Sequence, residues 1–238
     1  MSNKIRTIIL DWAGTTIDYG CCAPVDAFAK AFAAFGFNPS IEEIRIPMGM
    51  QKRAHIEKMM EGKPHSKEDI DKIYDEFEPA LFEVLEKYTD PLPGVLETVN
   101  TLRAMGIKIG STTGYTEAMM DVVLPLAKEK GYSPDYMVCP DHTGGIGRPY
   151  PYMLWRNLEK LGVLSIGEVL KAGDTEADIL EGKNAGCLSV GILKGSSMLL
   201  MTNDENIARQ KYLDAGADYV IDDITALPRL IKELNKDV

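Results

Sequence analysis

The feature that most constrains the fold of this chain is a short apolar run near its start that ends in an aspartate. Residues Ile8–Leu10 lead directly into Asp11, and a Gly14-Thr15 turn follows. A short apolar segment bounded by a turn is typical of a strand that is buried on both faces of a parallel sheet. Such a strand would deliver the carboxylate of Asp11 to the carboxyl edge of the sheet, where ligands bind in open α/β folds.

Further short apolar runs, separated by segments of helical pattern, predict the rest of the sheet. The predicted strands are Thr7–Leu10, Ile107–Ser111, Tyr136–Val138, Val169–Ala172, Leu188–Ile192 and Tyr219–Ile221. Alternation of strands and helices predicts an α/β fold with a doubly wound, mainly parallel sheet. We expect the helix after Pro151 to bury Trp155 on its inner face.

The segment between the first two strands is too long for a simple crossover and has a helical pattern throughout. Apolar residues recur at helical spacing in Val25–Phe32, Ile41–Met60 and Ile70–Leu85. Pro91–Gly94 predicts a stiff return linker. The expected organisation is a core domain of residues 1–20 and 91–238, with an inserted helical domain of residues 21–90. The helical domain is either a mobile cap over the sheet edge or a layer packed permanently on the core.

Composition limits the partners and the compartment. The net charge of −10 over 238 residues disfavours nucleic acid and anionic membranes as partners. The four cysteines have no paired metal spacing, which favours reduced thiols in a cytoplasmic protein. Ile5–Leu10 is too short for a signal peptide or a membrane span, so we expect no membrane partner.

Small hydroxyl residues follow the second predicted strand. The segment Ser111–Gly114 offers hydroxyl groups and backbone N–H groups with little side-chain hindrance, which suits a phosphate oxygen. The same pattern also fits a strand-to-helix turn that is capped by threonine.

Two later segments bring charge to the same sheet edge. Gly147–Pro151 carries Arg148 before a proline-rich helix start, and a guanidinium there can hold both a carboxylate and a phosphoryl group. Asp174 and Asp178 lie four residues apart, across a strand end and the first turn of a helix. Carboxylates are the ligands that Mg²⁺ takes, although Asp11 and Asp174 would each also suit a helix N-cap.

The segment Asp11–Thr16 resembles the nucleophile motif of the haloacid dehalogenase superfamily, whose phosphatases read Asp-x-Asp-x-Thr. In those phosphatases the first aspartate attacks phosphorus, and the second protonates the leaving group. Here Ala13 replaces the second aspartate. A chain with this replacement is expected to expel a leaving group that is activated in another way.

The three remaining motifs of the superfamily occur in order, and the resemblance implies a role for each. Thr113, followed by Gly114, would bind the phosphoryl oxygens, and Arg148 would hold the nucleophile and the transferring group. Asp178 would stand behind the metal ligands or orient Arg148. The implied cofactor is Mg²⁺, bound by Asp11, the backbone carbonyl of Ala13 and Asp174.

Within the superfamily, the chain resembles the phosphonoacetaldehyde hydrolases (phosphonatases), which convert the substrate aldehyde into a lysine imine. Ile46–His55 is similar to the cap signature of that family and places the Schiff-base lysine at Lys52. The resemblance implies a close, apolar approach to the substrate at Met48 and Gly49. His55 lies one helical turn after Lys52 and would relay protons. Tyr115 is a further candidate for lining the pocket.

This resemblance, from Thr7 to about Ile192, implies hydrolysis of the carbon–phosphorus bond of phosphonoacetaldehyde through an imine and an aspartyl-phosphate. It also implies a small phosphonate as partner and a homodimer. One alternative is a Mg²⁺-dependent phosphatase or phosphomutase that acts on a small phosphate ester, which would lack an acid at position 13. Another is a catalytically silent phosphate or metal sensor, which would be expected to have lost Asp11, Arg148 or Asp174.

Overall fold

Six short strands form one parallel sheet in the computed structural model, which describes residues 4–236. The strands are β1 (Thr7–Leu10), β2 (Lys108–Thr112), β3 (Tyr136–Val138), β4 (Val169–Gly173), β5 (Leu188–Ile192) and β6 (Tyr219–Ile221). They lie in the order β3-β2-β1-β4-β5-β6, and all neighbours are parallel. The predicted doubly wound fold is confirmed. Its strand order reverses between β1 and β4, where open α/β sheets form a ligand crevice.

The helices fall into an inserted group and a group that covers the sheet. The inserted helices are α1 (Cys22–Ala34), α2 (Ile41–Arg45), α3 (Lys52–Met60) and α4 (Lys67–Leu85). The remaining helices are α5 (Val95–Ala104), α6 (Glu117–Glu129), α7 (Tyr152–Leu161), α8 (Glu176–Ala185), α9 (Ser197–Thr202), α10 (Glu205–Asp214) and α11 (Leu227–Leu234). The core sheet with a helical cap is therefore as expected, while the exact domain boundaries stay predictions. Within residues 4–236, no helix has the length and apolar character needed to cross a membrane.

The central strand β1 is buried on both faces because successive side chains point to opposite sides of a strand. Ile8 and Leu10 belong to the large apolar cluster on one face, whereas Ile9 packs with Leu154 and Val169 on the other. Each fully buried aliphatic side chain of this kind contributes roughly 1.5–3 kcal/mol. This packing fixes the point at which the chain leaves the sheet, immediately before Asp11.

The inserted helices pack around one aromatic stack. The ring of Phe28 in α1 lies between His55 of α3, with ring centres 4.0 Å apart, and Phe77 of α4, at 4.1 Å. Ser66 and Asp69 close the start of α4 with reciprocal hydrogen bonds. The stack holds α3, and therefore Lys52, in a fixed position within the cap.

The pattern over Ile41–Met60 predicted continuous helix, and the structure corrects this. Helix α2 ends at Arg45 and α3 begins at Lys52. Ile46 still has helical dihedral angles, but Pro47 has no N–H group to continue the helical hydrogen bonds, and Gly49 takes a φ of +89°, which glycine adopts without a steric cost. The resulting turn points towards the sheet edge rather than continuing the helix.

The expectation that Trp155 is buried is wrong, because 47% of this residue is exposed. The buried side of α7 runs through Leu154 and Asn157 instead. The amide of Asn157 donates a hydrogen bond to the carbonyl of Ser111 at 2.8 Å. A polar residue, Asn157, therefore lies on the inner face of α7, where the apolar pattern predicted the indole of Trp155.

Candidate active site

Asp11 and Arg148 form a buried ion pair at the carboxyl edge of the sheet. The distance from Nη2 of Arg148 to Oδ1 of Asp11 is 2.7 Å. Burial raises the pKa of Asp11, although Arg148 opposes this shift. Burial alone would lower the pKa of Arg148, but the carboxylates of Asp11, Asp178 and Glu181 raise it, so the guanidinium stays charged. Asp11 thus faces a permanent cation.

Thr113 and Gly114 follow β2 and face the inserted helices. Helix α6 is capped by Thr116, so the alternative of a cap at Thr113 is wrong. The hydroxyl of Thr113 accepts a hydrogen bond from the N–H of Tyr115 at 3.1 Å, which leaves its proton available to a ligand. A Cβ at Gly114 would lie 2.6 Å from the carbonyl oxygen of Met50. Glycine here permits the cap turn to touch the core.

Asp174 does not cap the helix that follows it. Thr175 is the N-cap of α8 and exchanges hydrogen bonds with Asp178 in a capping box. Asp174 instead accepts from the N–H of Ser197 at 2.9 Å, and the hydroxyl of Thr15 lies 3.4 Å from its other oxygen. Burial, followed by repulsion from Asp11 and Asp178, raises the pKa of Asp174 well above its usual range.

The carboxylates of Asp11, Asp174 and Asp178 offer oxygen atoms that all lie within 4.8 Å of one another. Asp178 is already engaged: one oxygen lies 3.0 Å from Arg148, and the other accepts from Thr175 at 2.6 Å. Asp11 and Asp174 are therefore the members of this group best placed to hold a cation. Hard divalent cations take oxygen ligands, so the donor set fits such an ion.

The buried charges around Arg148, among residues 4–236, also fit a bound divalent cation. The buried group around Arg148 contains the carboxylates of Asp11, Asp174, Asp178 and Glu181 and the cations Arg148 and Lys171. Asp18, Arg45 and Lys52 are also buried, but they form no ion pair with this group. Two negative charges are left without a partner when all four carboxylates are ionised. Uncompensated buried charge is costly, and one divalent cation would balance it.

Ala13 brings a carbonyl rather than a carboxylate to the site. Its oxygen lies 3.1 Å from the Sγ of Cys21, which donates to it. Burial, followed by the negative charges of Asp174, Asp18 and Asp11, raises the pKa of Cys21 well above its ordinary value. Cys21 is therefore a neutral thiol donor, and position 13 supplies no acid.

Lys52 is the first residue of α3 and is almost fully buried. Its Nζ lies 4.8 Å from the centre of the Tyr115 ring. Burial lowers the pKa of Lys52 to about 8, against a smaller opposing effect of the Asp11 carboxylate. The positive end of a helix dipole also disfavours an ammonium group at this position. The amine is therefore neutral for part of the time near neutral pH.

Cap and core residues together line a small cavity of about 20 Å³ beside Asp11 and Lys52. Its lining residues are Asp11, Ala13, Cys21, Pro24, Met48, Gly49, Lys52, Thr113, Gly114, Tyr115, Arg148 and Thr175. The lining includes Asp11, the candidate nucleophile, and Lys52, the candidate Schiff-base lysine. It also includes all four predicted substrate-binding residues: Met48, Gly49, Gly114 and Tyr115. A cavity of this size holds about one water molecule, so little free space is left between the inserted helices and the sheet edge.

His55 does not line this cavity. It lies one turn after Lys52 in α3, fully buried against Phe28. Neither ring nitrogen has a hydrogen-bond partner of normal geometry among the described residues. Burial and the charge of Lys52 lower the pKa of His55 well below its ordinary value, against a smaller effect from the backbone of Ile44. The imidazole is neutral, and its predicted relay role stays a prediction.

Three buried residues around Arg148 were not singled out from the sequence: Thr112, Lys171 and Glu181. Lys171 had a detectable signal, because it is a charged residue inside the apolar run Val169–Ala172. Glu181 follows Asp178 by three residues, a spacing that places both on one helix face.

The strand order, the carboxylates at the strand ends and the inserted helices define a hydrolase of the haloacid dehalogenase type. The family model for haloacid dehalogenase-like hydrolases matches residues 5–186. A phosphonoacetaldehyde hydrolase of Bacteroides fragilis is 46% identical over 98% of this chain and 97% of its own length. The chain belongs to the haloacid dehalogenase-like hydrolases and, among them, to the phosphonoacetaldehyde hydrolase family.

Two further relatives agree with this assignment. The crystal structure of a phosphonoacetaldehyde hydrolase-like protein from Oleispira antarctica has a TM-score of 0.91 and 33% identity, and covers 99% of this chain and 94% of that one. A bifunctional phosphonoacetaldehyde hydrolase/aminoethylphosphonate transaminase of Clostridioides difficile is 43% identical over 98% of this chain. The present chain spans 41% of that longer protein.

Proposed function

We propose that this protein hydrolyses the carbon–phosphorus bond of phosphonoacetaldehyde to acetaldehyde and phosphate. The observation that carries the proposal is that Lys52, with a pKa lowered to about 8, lines the same small cavity as Asp11. A phosphatase needs an acid to protonate its alkoxide leaving group, and Ala13 provides none. An imine on Lys52 activates a carbon leaving group without that acid.

The first stage takes place on Lys52. Its neutral amine attacks the aldehyde carbon, and loss of water gives a protonated imine. The face of the Tyr115 ring lies beside this nitrogen and stabilises the positive charge. His55 is proposed to relay protons in this stage, because it is neutral and lies one turn away on the same helix.

The second stage transfers the phosphoryl group. Asp11 attacks phosphorus, an oxygen–phosphorus bond forms, and the carbon–phosphorus bond breaks. The electron pair of the broken bond moves into the imine to give an enamine. Arg148 and the hydroxyl of Thr113 donate to the phosphoryl oxygens as charge develops on them. Water then hydrolyses the aspartyl-phosphate, the enamine takes up a proton at carbon, and hydrolysis of the imine frees acetaldehyde and Lys52.

The proposed cofactor is Mg²⁺, held by Asp11, Asp174 and the carbonyl of Ala13. When bound, it would neutralise negative charge on the phosphoryl oxygens. Asp178 is proposed to orient Arg148, because its oxygens already contact Arg148 and Thr175.

The helical insertion of residues 21–90 is proposed to be a mobile cap. The cavity of about 20 Å³ is too small for the substrate, and Asp11, Lys52 and Arg148 are each less than 5% exposed. Substrate therefore has to enter while Met48 and Gly49 are moved away from the sheet edge. Closure would then exclude water from the imine.

The proposal is tested by incubating the protein with phosphonoacetaldehyde and Mg²⁺ and measuring both products. Acetaldehyde is followed by coupled NADH oxidation, and phosphate by a colorimetric assay. We expect equal amounts of both, loss of both in Asp11→Asn and Lys52→Arg, and full activity in Lys30→Arg, an exposed cap lysine. Hydrolysis of small phosphate esters without cleavage of phosphonoacetaldehyde would instead identify a phosphatase or phosphomutase.

A homodimer is also proposed. The support is an exposed aromatic surface at the start of α7, where the rings of Tyr152 and Trp155 lie 5.7 Å apart. Light scattering on the purified protein is expected to give twice the mass of the 26.3 kDa chain. A monomeric mass at micromolar concentration would contradict this proposal.

A cytoplasmic location is proposed as well. All four cysteines are free, as expected for a protein kept in a reducing compartment. Fractionation of the producing cells tests this, with recovery in the membrane or extracellular fraction as the contradicting result.

A further inference from the structure

Lys171 is a fully buried lysine in the middle of strand β4. Its Nζ lies 2.7 Å from Oδ1 of Asp178, 3.1 Å from Oγ1 of Thr112 and 3.4 Å from Oε2 of Glu181. A buried ammonium group is costly unless it has such partners, and the proposed reaction assigns it no role.

The same three oxygen atoms also hold Arg148. Its Nη1 lies 3.0 Å from Oδ1 of Asp178, its Nη2 2.9 Å from Oγ1 of Thr112, and its Nε 3.1 Å from Oε2 of Glu181. The other contacts of Nη2 are the carbonyl of Thr112 and Oδ1 of Asp11, both at 2.7 Å. Three of the oxygen atoms that fix the orientation of the Arg148 guanidinium therefore also contact Lys171.

Lys171 does not line the active-site cavity. Removing its charge would leave Asp178 and Glu181 with Arg148 as their one shared cation. Each carboxylate would then attract the guanidinium more strongly and would repel the other more strongly. The stronger attraction acts on Nη1 and Nε rather than on the Nη2 that faces Asp11, so it would turn the guanidinium away from Asp11. The stronger repulsion would separate the two carboxylates that hold it.

We infer that Lys171 is a positioning residue for phosphoryl transfer: it fixes the three oxygen atoms that aim Arg148 at Asp11. The inference rests on the proposed function for its reaction and adds to it a residue that acts through Arg148. Displacement of a reacting group by about 1 Å costs on the order of 100-fold in rate, so a small shift of Arg148 is measurable.

The test separates imine formation from phosphoryl transfer in Lys171→Met. Borohydride trapping with phosphonoacetaldehyde reports the imine, and phosphate release reports the second step. We expect at least as much trapped adduct as in the wild type, because Lys52 and Tyr115 are untouched, and phosphate release lowered by about 10- to 100-fold. Lys183→Met is the matched control. Its ammonium forms an exposed ion pair with Asp218, which lies directly before β6, and both readouts should stay at wild-type levels.

Thr112→Val provides a second variant that creates no unpaired charge. It removes one of the shared oxygen atoms and keeps the side-chain shape, so phosphate release should again fall while the adduct persists. Phosphate release within twofold of the wild type in the folded variant would overturn the inference. An equal fall in adduct and in phosphate release in both variants would also overturn it, because that result is expected of a purely structural residue.

Binding of tungstate, a phosphate analogue, keeps the inference testable without the carbon substrate. Calorimetry with Mg²⁺ present should give about tenfold weaker tungstate binding to Lys171→Met or Thr112→Val than to wild type and Lys183→Met. If the wild type neither forms an adduct nor releases phosphate, the proposed function fails, and this comparison decides the role of Lys171. Unchanged tungstate affinity in both variants would then overturn it.

Discussion

The Nζ atom of Lys52 lies 4.8 Å from the centre of the Tyr115 ring, and this pair joins the inserted helices to the sheet edge. Burial disfavours the ammonium form of Lys52 and lowers its pKa to about 8. The aromatic face favours a positive charge on the same nitrogen. The two effects suit an amine that has to be neutral when it attacks and cationic once the imine has formed.

The rate of imine formation is predicted to rise with pH through about 8. Only the neutral amine attacks, and with this pKa roughly a tenth of Lys52 is neutral at pH 7, against less than about a thousandth of an ordinary lysine. Burial and Arg148 favour the neutral form of Lys52, whereas the carboxylates of Asp11 and Asp18 favour the charged form. Rapid borohydride quenching between about pH 6 and 10 measures the profile. A flat profile over this range would contradict the lowered pKa.

Replacing the Tyr115 ring is predicted to shift that profile. Tyr115→Leu removes a desolvated cation–π contact worth about 2 kcal/mol, which corresponds to about a 30-fold lower rate after imine formation. The pKa of Lys52 should fall further, so the midpoint moves to lower pH. Tyr115→Phe keeps the ring and should retain the wild-type midpoint. An unchanged midpoint in Tyr115→Leu would show that the ring does not act on the charge.

Gly114→Ala is predicted to impair activity without a large loss of stability. The added Cβ would lie 2.6 Å from the carbonyl oxygen of Met50, so the cap turn could not close. The control is Gly144→Ala, where no atom lies within 4 Å but φ is +67°. It should lose about 1 kcal/mol of stability and keep its activity. Urea unfolding and kcat/KM measure the two effects, and parallel losses in both variants would count against a closing cap.

Removal of the cation is predicted to abolish phosphate release, and added Mg²⁺ should restore it. Mg²⁺ should also raise the Tm of the wild type, because it binds the folded site. Asp174→Asn should lose most of this shift, since it removes a carboxylate from the cation site. Asp121→Asn, an exposed position on α6, should keep it. An equal shift in both variants would show that the cation binds elsewhere.

The residues at the strand ends were accessible from sequence because a parallel sheet brings its carboxyl ends to one edge. Asp11, Thr113 and Asp174 each follow a short apolar run. The fold class alone was therefore enough to predict that they lie at the same edge of the sheet. Lys52 was reached by resemblance, since helical periodicity does not distinguish it from a solvated lysine. The structure added its burial and its contact with Tyr115.

The remaining features depend on tertiary contacts that local patterns do not carry. In the sequence, Lys171 only interrupts an apolar strand. Its partners Asp178 and Glu181 are on the following helix and contact it only in the folded protein. The apolar spacing over Ile41–Met60 predicted a continuous helix because it takes no account of backbone preferences. Pro47 and Gly49 break the helix. The apolar character of Trp155 predicts burial, but the core side of that helix carries Asn157, whose amide bonds to the carbonyl of Ser111.

In the proposed reaction Lys52 carries the substrate as an imine, and borohydride trapping detects this bond. The protein is reduced in the presence of phosphonoacetaldehyde and digested, and its peptides are mapped by mass spectrometry. We expect a reduced adduct on the peptide that contains Lys52. The adduct should also form in Lys30→Arg and should be absent in Lys52→Arg. Absence of any adduct, or an adduct on another lysine in a protein that hydrolyses phosphate esters, would contradict it.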